Sequence, residues 1–231
     1  LVVTGIGGTK GKSTSAYYMK AVVDDYMEAQ GKKESAVISS IDIYDGVTKV
    51  ESHITTPEAM ELQQHLRNAL DSQITYAEME VSSQALKYHR VDGMRFDVGI
   101  FLNISEDHIS PIEHEDFEDY FSSKMLMFAQ TDTAVVNLDA DHIERILEEA
   151  KAAKACVTFS LKNPEADYYG YNIRKDGHET TFSVKSKDFD EEFVLTMPGL
   201  FNVENALGVI AAASALQIPR EYIHSGLKRA R

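Results

Sequence analysis

Leu1-Val2-Val3-Thr4 runs directly into Gly5-Ile6-Gly7-Gly8-Thr9-Lys10-Gly11-Lys12-Ser13-Thr14, an apolar strand followed by a glycine-rich turn that ends in Gly-Lys-Ser. From Lys12 to Gln30, Ala16, Met19, Val23, Tyr26 and Met27 recur at roughly helical spacing, and Gly31 is placed to cap that helix. A strand, a glycine-rich turn and a helix together make a phosphate cradle. Glycines let backbone N–H groups turn toward a polyphosphate, and the helix N-terminus adds favourable partial charge. Lys12 is expected to reach the β- and γ-phosphates and the Ser13 hydroxyl to ligate Mg²⁺. Gly8, Thr9, Gly11 and Thr14 complete the expected nucleotide contacts of the loop. The common loop of this kind has its first glycine five positions before the Gly-Lys pair; here Ile6 stands there, and the glycines are Gly5 and Gly8.

Outward from this stretch, apolar runs predict strands over residues 36–41, 74–81, 96–104 and 133–138 and around Val157. Helices are expected from Pro57, with Thr56 as N-cap, and over 113–128, 141–154, 203–216 and 220–227. Strands alternating with helices predict an α/β fold, a doubly wound, mostly parallel sheet with helices on both faces. Between 167 and 197 three short strand-like runs separated by turns such as Asp176-Gly177 predict a small antiparallel insertion. Residues 1–231 are expected to form one nucleotide-binding domain that includes this insertion.

Composition narrows the function classes. With 23 Lys and Arg against 37 Asp and Glu, the formal charge of −14 argues against nucleic acid as a partner, because that binding needs cations to displace counterions. No apolar run approaches the roughly 20 residues of a membrane span, and no segment reads as a signal peptide. The single cysteine, Cys156, reads as a buried strand residue and fits a reducing compartment.

Several further blocks carry chemistry. Met79-Glu80-Val81-Ser82-Ser83-Gln84-Ala85-Leu86, followed by His89-Arg90, puts Glu80 at the C-terminal end of a strand, where ligands bind in open α/β sheets. A carboxylate there can hold the Mg²⁺ that bridges nucleotide phosphates; Glu78, on the same strand face, competes for that role. Ser82 reads either as a ligand contact or as the cap of the next helix. Asn103-Ile104-Ser105-Glu106-Asp107-His108 again follows a strand, and a neutral imidazole is a sound metal ligand. Asp119-Tyr120-Phe121-Ser122-Ser123-Lys124 reads as a helix whose Lys124 is either a surface residue or part of the site. Thr55-Thr56-Pro57-Glu58 is a substrate contact or a helix cap. In Pro198-Gly199-Leu200-Phe201-Asn202-Val203-Glu204-Asn205, the Asn202 and Asn205 amides can pair with both edges of adenine.

In this order, from Gly5 to Asn205, the blocks resemble the central domain of the Mur ligases, with folylpolyglutamate synthetases as relatives. Three departures stand out. Lys10 replaces the family's usual Asn, Gln84 replaces its usual His, and Ile109 to His114 is about two residues longer than the family's stretch. The resemblance implies an ATP-dependent amide-bond ligase that works through an acyl phosphate, adding the third amino acid to UDP-N-acetylmuramoyl-dipeptide in the cytoplasm. It implies ATP and two Mg²⁺ ions, with Ser13, Glu80 and His108 as metal ligands and Lys12, Lys124, Glu80 and His108 as the catalytic set. It also implies a carbamylated Lys124, nucleotide contacts at Asn202 and Asn205, and Thr55, Thr56, Ser82 and Arg90 toward the UDP-muramoyl peptide. The amino-acid substrate is the other partner, and the expected state is a monomer. Flanking domains for UDP and for closure over ATP are expected outside this chain, which alone is expected to be inactive. A folylpolyglutamate-type ligase and a nucleotide-binding regulatory module are the competing functions.

Overall fold

The computed structural model describes residues 1–105 and 114–230. One sheet runs through the molecule. Its centre is β1 (Val2–Gly7), flanked by β5 (Tyr76–Glu80) and β6 (Phe96–Phe101), all parallel. Beyond β5 comes β2 (Ala36–Ile38), and beyond β6 come β7 (Thr131–Asn137), β8 (Ala155–Ser160) and β9 (Tyr168–Asp176), still parallel. Each edge then turns antiparallel. β3 (Asp42–Tyr44) and β4 (Lys49–Glu51) extend one side, and β10 (Glu179–Lys185) and β11 (Asp190–Leu195) the other. The expected insertion over 167–197 is therefore no separate annex: β9 pairs with β8, and the strands continue the main sheet.

Helices cover both faces. α1 (Lys12–Ala29), α6 (Leu200–Ala215) and α7 (Arg220–Arg229) close one side over Ile6, Val98 and Ile100. α2 (Ala59–Asp71) and α3 (Ser83–Lys87) cover Val3 and Met79, and α4 (Phe117–Met125) and α5 (Ile143–Ala150) cover Phe101 and Val136. α1 ends as expected: Gly31 has φ 64°, and the N–H groups of Gly31 and Lys32 bond back to the carbonyls of Glu28 and Met27. The chain leaves β1 toward β2 on one side and returns through β6 on the other, so β1 marks the switch point where open α/β sheets bind ligands.

Three local expectations are corrected. α2 begins at Ala59, not Pro57, and its N-cap residue is Glu58. Thr56 is fully buried, and its hydroxyl is taken by the end of β5 instead of the helix. The β3–β4 hairpin was not foreseen. Its turn is made by Asp45, whose carboxylate accepts from the N–H groups of Val47 and Thr48 at 2.9 and 2.6 Å, while His65 and Asn68 of α2 hold the other oxygen. Cys156 is exposed, and burial of its thiol was the wrong expectation.

α7 holds α1 in place through a close approach at Gly226. A Cβ there would lie 2.4 Å from Val22 Cα, a contact with backbone that no side-chain rotation can relieve. Gly226→Ala is expected to cost about 1–3 kcal/mol in urea unfolding, the usual scale of overpacking. An unchanged midpoint would show that the two helices can separate freely.

Candidate active site

The glycine-rich loop leaves β1 at Gly7 and enters α1 at Lys12. Gly8 and Gly11 have φ of 146° and 87°, conformations that disfavour any side chain. A Cβ on Gly11 would also fall 2.4 Å from Asn205 Oδ1. Asn103, just beyond β6, fixes the loop. Its Oδ1 accepts from the N–H groups of Thr9 and Lys10 at 3.0 and 2.9 Å, and its Nδ2 donates to Lys10 O at 3.0 Å. The Thr9 hydroxyl accepts from Ser105 N–H at 3.1 Å and lies 2.9 Å from the Tyr120 hydroxyl. The N–H groups that open a helix have no partner within it, so those at the start of α1 are available to an anion.

Two lysines meet at this loop. Lys12 Nζ donates to Gly8 O at 3.0 Å and to Thr9 O at 3.2 Å. Lys124 Nζ donates to the same Gly8 O at 2.8 Å and stands 4.8 Å from the centroid of the Tyr120 ring. Lys124 is 4% exposed, which rules out a surface-helix lysine.

Glu80 is the carboxylate at the loop. Its Oε1 accepts from Ser40 N–H at 2.9 Å and from Ser40 Oγ at 3.1 Å, and Ser40 Oγ lies 3.1 Å from Ser13 Oγ. Ser40, which follows β2, thus joins the two expected metal ligands; no sequence motif marked it. Glu78 is fully buried near Lys20, Asp24 and Ser35, and burial pushes its carboxyl up to about 8, so it is held neutral away from the loop. Oxygen donors from a hydroxyl and a carboxylate suit a hard divalent cation such as Mg²⁺. Among the described residues no group of three or more His, Cys, Asp or Glu could hold a metal by itself. His108, the expected ligand of a second ion, lies outside the described residues.

A cleft of about 110 Å³ opens on the other side of Lys12, lined by Lys12, Thr55, Ser82, Ser83, Arg90 and Lys124. Five of the expected residues therefore converge. Arg90 is held by Glu58 at 2.7 Å and by Thr56 O at 3.3 Å. Ser82 both lines the cleft and caps α3, its Oγ accepting from Ala85 N–H at 3.1 Å. Thr56 stands behind the wall: its hydroxyl donates to Glu80 O at 2.8 Å and accepts from Ser82 N–H at 3.1 Å. It shapes the cleft and does not face it.

On the α6 side, a groove of about 400 Å³ lies between Lys10, Gly11, Thr14, Asn103, Phe201 and Asn205. Phe201 is 65% exposed there, an aromatic face beside the loop that composition alone could not single out. Asn202 is not in the groove. It is buried, and its Nδ2 donates to Pro198 O at 2.8 Å, holding the turn that enters α6. A larger cleft of about 530 Å³, between Asp167, Lys187 and Ser214, lies at the β8–β9 edge, away from the loop.

Residues 6–213 match the Mur ligase middle domain. This chain belongs to the Mur ligase family. Among its relatives, a UDP-N-acetylmuramyl-tripeptide synthetase of Bifidobacterium longum is 39% identical over 226 residues, 94% of this chain and 43% of that protein. UDP-N-acetylmuramoyl-L-alanyl-D-glutamate--2,6-diaminopimelate ligase 1 of Clostridium acetobutylicum is 36% identical over 229 residues, 99% of this chain and 45% of that protein. The chain thus spans just under half the length of these curated relatives. A solved UDP-N-acetylmuramoyl-L-alanyl-D-glutamate--2,6-diaminopimelate ligase superposes with a TM-score of 0.85 at 24% identity, covering 98% of this chain and 46% of that one. That likeness establishes the Mur ligase central fold, with its mostly parallel sheet and antiparallel edge strands.

The two carboxylates of β5 give a direct test of the Mur ligase site. Glu80→Gln is expected to weaken Mg²⁺-dependent ADP binding at least about tenfold, while Glu78→Gln leaves it unchanged, because a buried neutral carboxyl is already amide-like. Calorimetry that finds Glu78 the more sensitive position would reverse the assignment.

Proposed function

We propose that this chain is the ATP-binding middle domain of an amide-bond ligase that activates a UDP-muramoyl-peptide carboxylate as an acyl phosphate and adds the third amino acid of the stem peptide. The observation that carries this is the meeting of Lys12, Lys124, Arg90 and Ser82 at one cleft beside the Ser13–Ser40–Glu80 cluster. A nucleotide-binding switch needs the loop and the carboxylate. It has no use for a second cationic cleft that opens where the γ-phosphate would lie.

In this reading the first-turn N–H groups of α1 and the side chain of Lys12 receive the triphosphate, and Ser13 and Glu80 hold Mg²⁺, which neutralises charge on the transferring phosphoryl group. Adenine lies against Phe201 and Asn205, with Asn202 acting indirectly through the Pro198 turn. Arg90, anchored by Glu58, draws the substrate carboxylate toward the phosphate, with Thr55 and Ser82 beside it. His108 is proposed to ligate a second Mg²⁺. The site residues serve phosphate, carboxylate or adenine, and the chain spans 43–45% of the length of these relatives. The choice of amino acid therefore belongs to segments outside this chain, as does closure of the site. The enzyme works as a monomer in the cytoplasm.

Lys124 carries the least expected part of the proposal. An ammonium group bonded to Gly8 O beside Lys12 would repel a metal ion; a carbamate formed from its neutral amine and CO₂ would attract one. Lys124 is 4% exposed, so a carbamate there would lie at the loop and not in bulk solvent. We expect Lys124→Ala in the full-length ligase to lower amide synthesis by about 10²-fold or more, the scale of a lost charge-stabilising group. Added short-chain carboxylic acids are expected to restore part of it. Near-normal turnover of the variant at low bicarbonate would remove Lys124 from the site chemistry.

The nucleotide assignment has a separate test on the isolated chain. Lys12→Ala is expected to abolish Mg²⁺-ADP binding measured by calorimetry, and the unmodified chain to bind without forming amide. Equal affinity in both proteins would defeat the assignment.

A further inference from the structure

Phosphate chemistry leaves one group of side chains at the cleft unused. Ser83, the first residue of α3, lines the cleft beside Lys12, Arg90 and Lys124. Its Oγ lies 2.9 Å from His114 Nε2, and His114 Nδ1 lies 3.0 Å from Asp119 Oδ2. His114 is 1% exposed and stands edge-on to Tyr120, with ring centroids 5.1 Å apart. Asp119 Oδ2 also accepts from Lys87 Nζ at 2.6 Å and from Glu115 N–H at 3.2 Å.

The neighbours of His114 favour one tautomer of its ring. An ionised carboxylate only accepts, so His114 Nδ1 carries the imidazole hydrogen. Nε2 of the neutral ring is then an acceptor, and the Ser83 hydroxyl donates to it. The remaining lone pairs of Ser83 Oγ are left for a donor in the cleft. Lys87, and then His114, hold the Asp119 carboxyl below its usual range even though partial desolvation opposes them. The carboxylate facing His114 Nδ1 thus accepts a hydrogen bond from the ring and does not take its proton. Serine, histidine and aspartate joined in this order are the arrangement of a general-base relay, recognised by geometry on unrelated folds.

We propose that Ser83 and His114 form the proton relay of the amide-forming step, a role that rests on the acyl-phosphate ligase reading above. An amine that attacks an acyl phosphate becomes cationic at nitrogen and must shed a proton before the product is stable. The nitrogen bonds to the carbonyl carbon. Its surplus proton passes to Ser83 Oγ as the hydroxyl proton of Ser83 passes to His114 Nε2. The carbon–oxygen bond to phosphorus breaks, and its electron pair leaves on phosphate. The imidazolium beside Asp119 then returns its proton to solvent. Lys12 and Arg90 in the same cleft serve anions; the imidazole behind Ser83 supplies the base they cannot.

The test separates the two chemical steps in the full-length ligase. Hydroxylamine, whose weakly basic nitrogen loses its proton to water unaided, traps the acyl phosphate as a hydroxamate and reports its formation. The natural amine reports the second step. Ser83→Ala and His114→Gln are expected to form hydroxamate at rates close to the unsubstituted enzyme while amide synthesis falls about 10²-fold at unchanged KM for the amine, the scale of a lost general base. Glutamine keeps hydrogen bonds at position 114 but has no proton affinity. Equal losses in hydroxamate and amide would place the pair in site architecture and overturn the relay, as would amide synthesis at the unsubstituted rate. Absence of hydroxamate from the unsubstituted enzyme would instead overturn the ligase reading itself, and the relay with it.

Discussion

Everything at the site depends on how one side chain, Asn103, clamps the loop between β1 and α1. A glycine-rich loop gains its useful conformations by giving up side chains, and it pays in conformational entropy. Asn103 counters that cost with hydrogen bonds to Thr9 N–H, Lys10 N–H and Lys10 O, and it can do so because β6 lies next to β1 in the sheet. Thr9 passes the restraint on to Tyr120, and so to α4, which carries Lys124. The two strands of the switch point and the helix beyond them are thereby tied to the loop before any ligand arrives.

The electrostatics follow from the same arrangement. The chain as a whole is strongly acidic, yet Lys12, Arg90 and Lys124 face one small cleft. Lys12 and Lys124 share Gly8 O as an acceptor, which brings two cationic side chains to one point of the loop. Glu58 and Glu80 balance the cleft from either side: Glu58 grips Arg90, and Glu80 is held by Ser40 next to Ser13. Positive charge is thus gathered where phosphate and carboxylate have to meet, against the net charge of the domain.

How much of this the sequence carried can be judged residue by residue. The alternation of apolar strands and amphipathic helices gave the parallel sheet, because buried strands and one-sided helices leave strong periodic patterns. The loop was legible because its chemistry is local: Gly8, Gly11, Lys12 and Ser13 act through neighbours in the chain. Long-range partners left no such trace. Ser40 is an ordinary serine until the sheet brings it beside Ser13 and Glu80. Asn103 was visible as part of a block, but its clamp depends on β6 lying next to β1. Thr56 looked like a helix cap because it precedes a proline, yet the end of β5 takes its hydroxyl. Asn202 had the right chemistry for adenine, but the turn at Pro198 uses it instead. Glu78 and Glu80 were equivalent by spacing and both are buried; Ser40, which ties Glu80 to Ser13, distinguishes it from Glu78, which lies near Lys20, Asp24 and Ser35. The β3–β4 hairpin escaped because Lys49-Val50-Glu51 is too short and polar to show alternation, and its turn depends on His65 and Asn68 of a later helix.

The account stands on nucleotide binding at the loop, with Lys12 exchanging protein carbonyls for phosphate oxygens. A crystal structure of this chain with Mg²⁺ and a non-hydrolysable ATP analogue tests that most directly. The predicted result places the triphosphate on the first-turn N–H groups of α1, moves Lys12 Nζ from Gly8 O and Thr9 O onto phosphate, sets the metal between Ser13 and Glu80, and lays adenine against Phe201 and Asn205. A nucleotide bound elsewhere, or Lys12 still bonded to Gly8 O and Thr9 O with the analogue present, would contradict it.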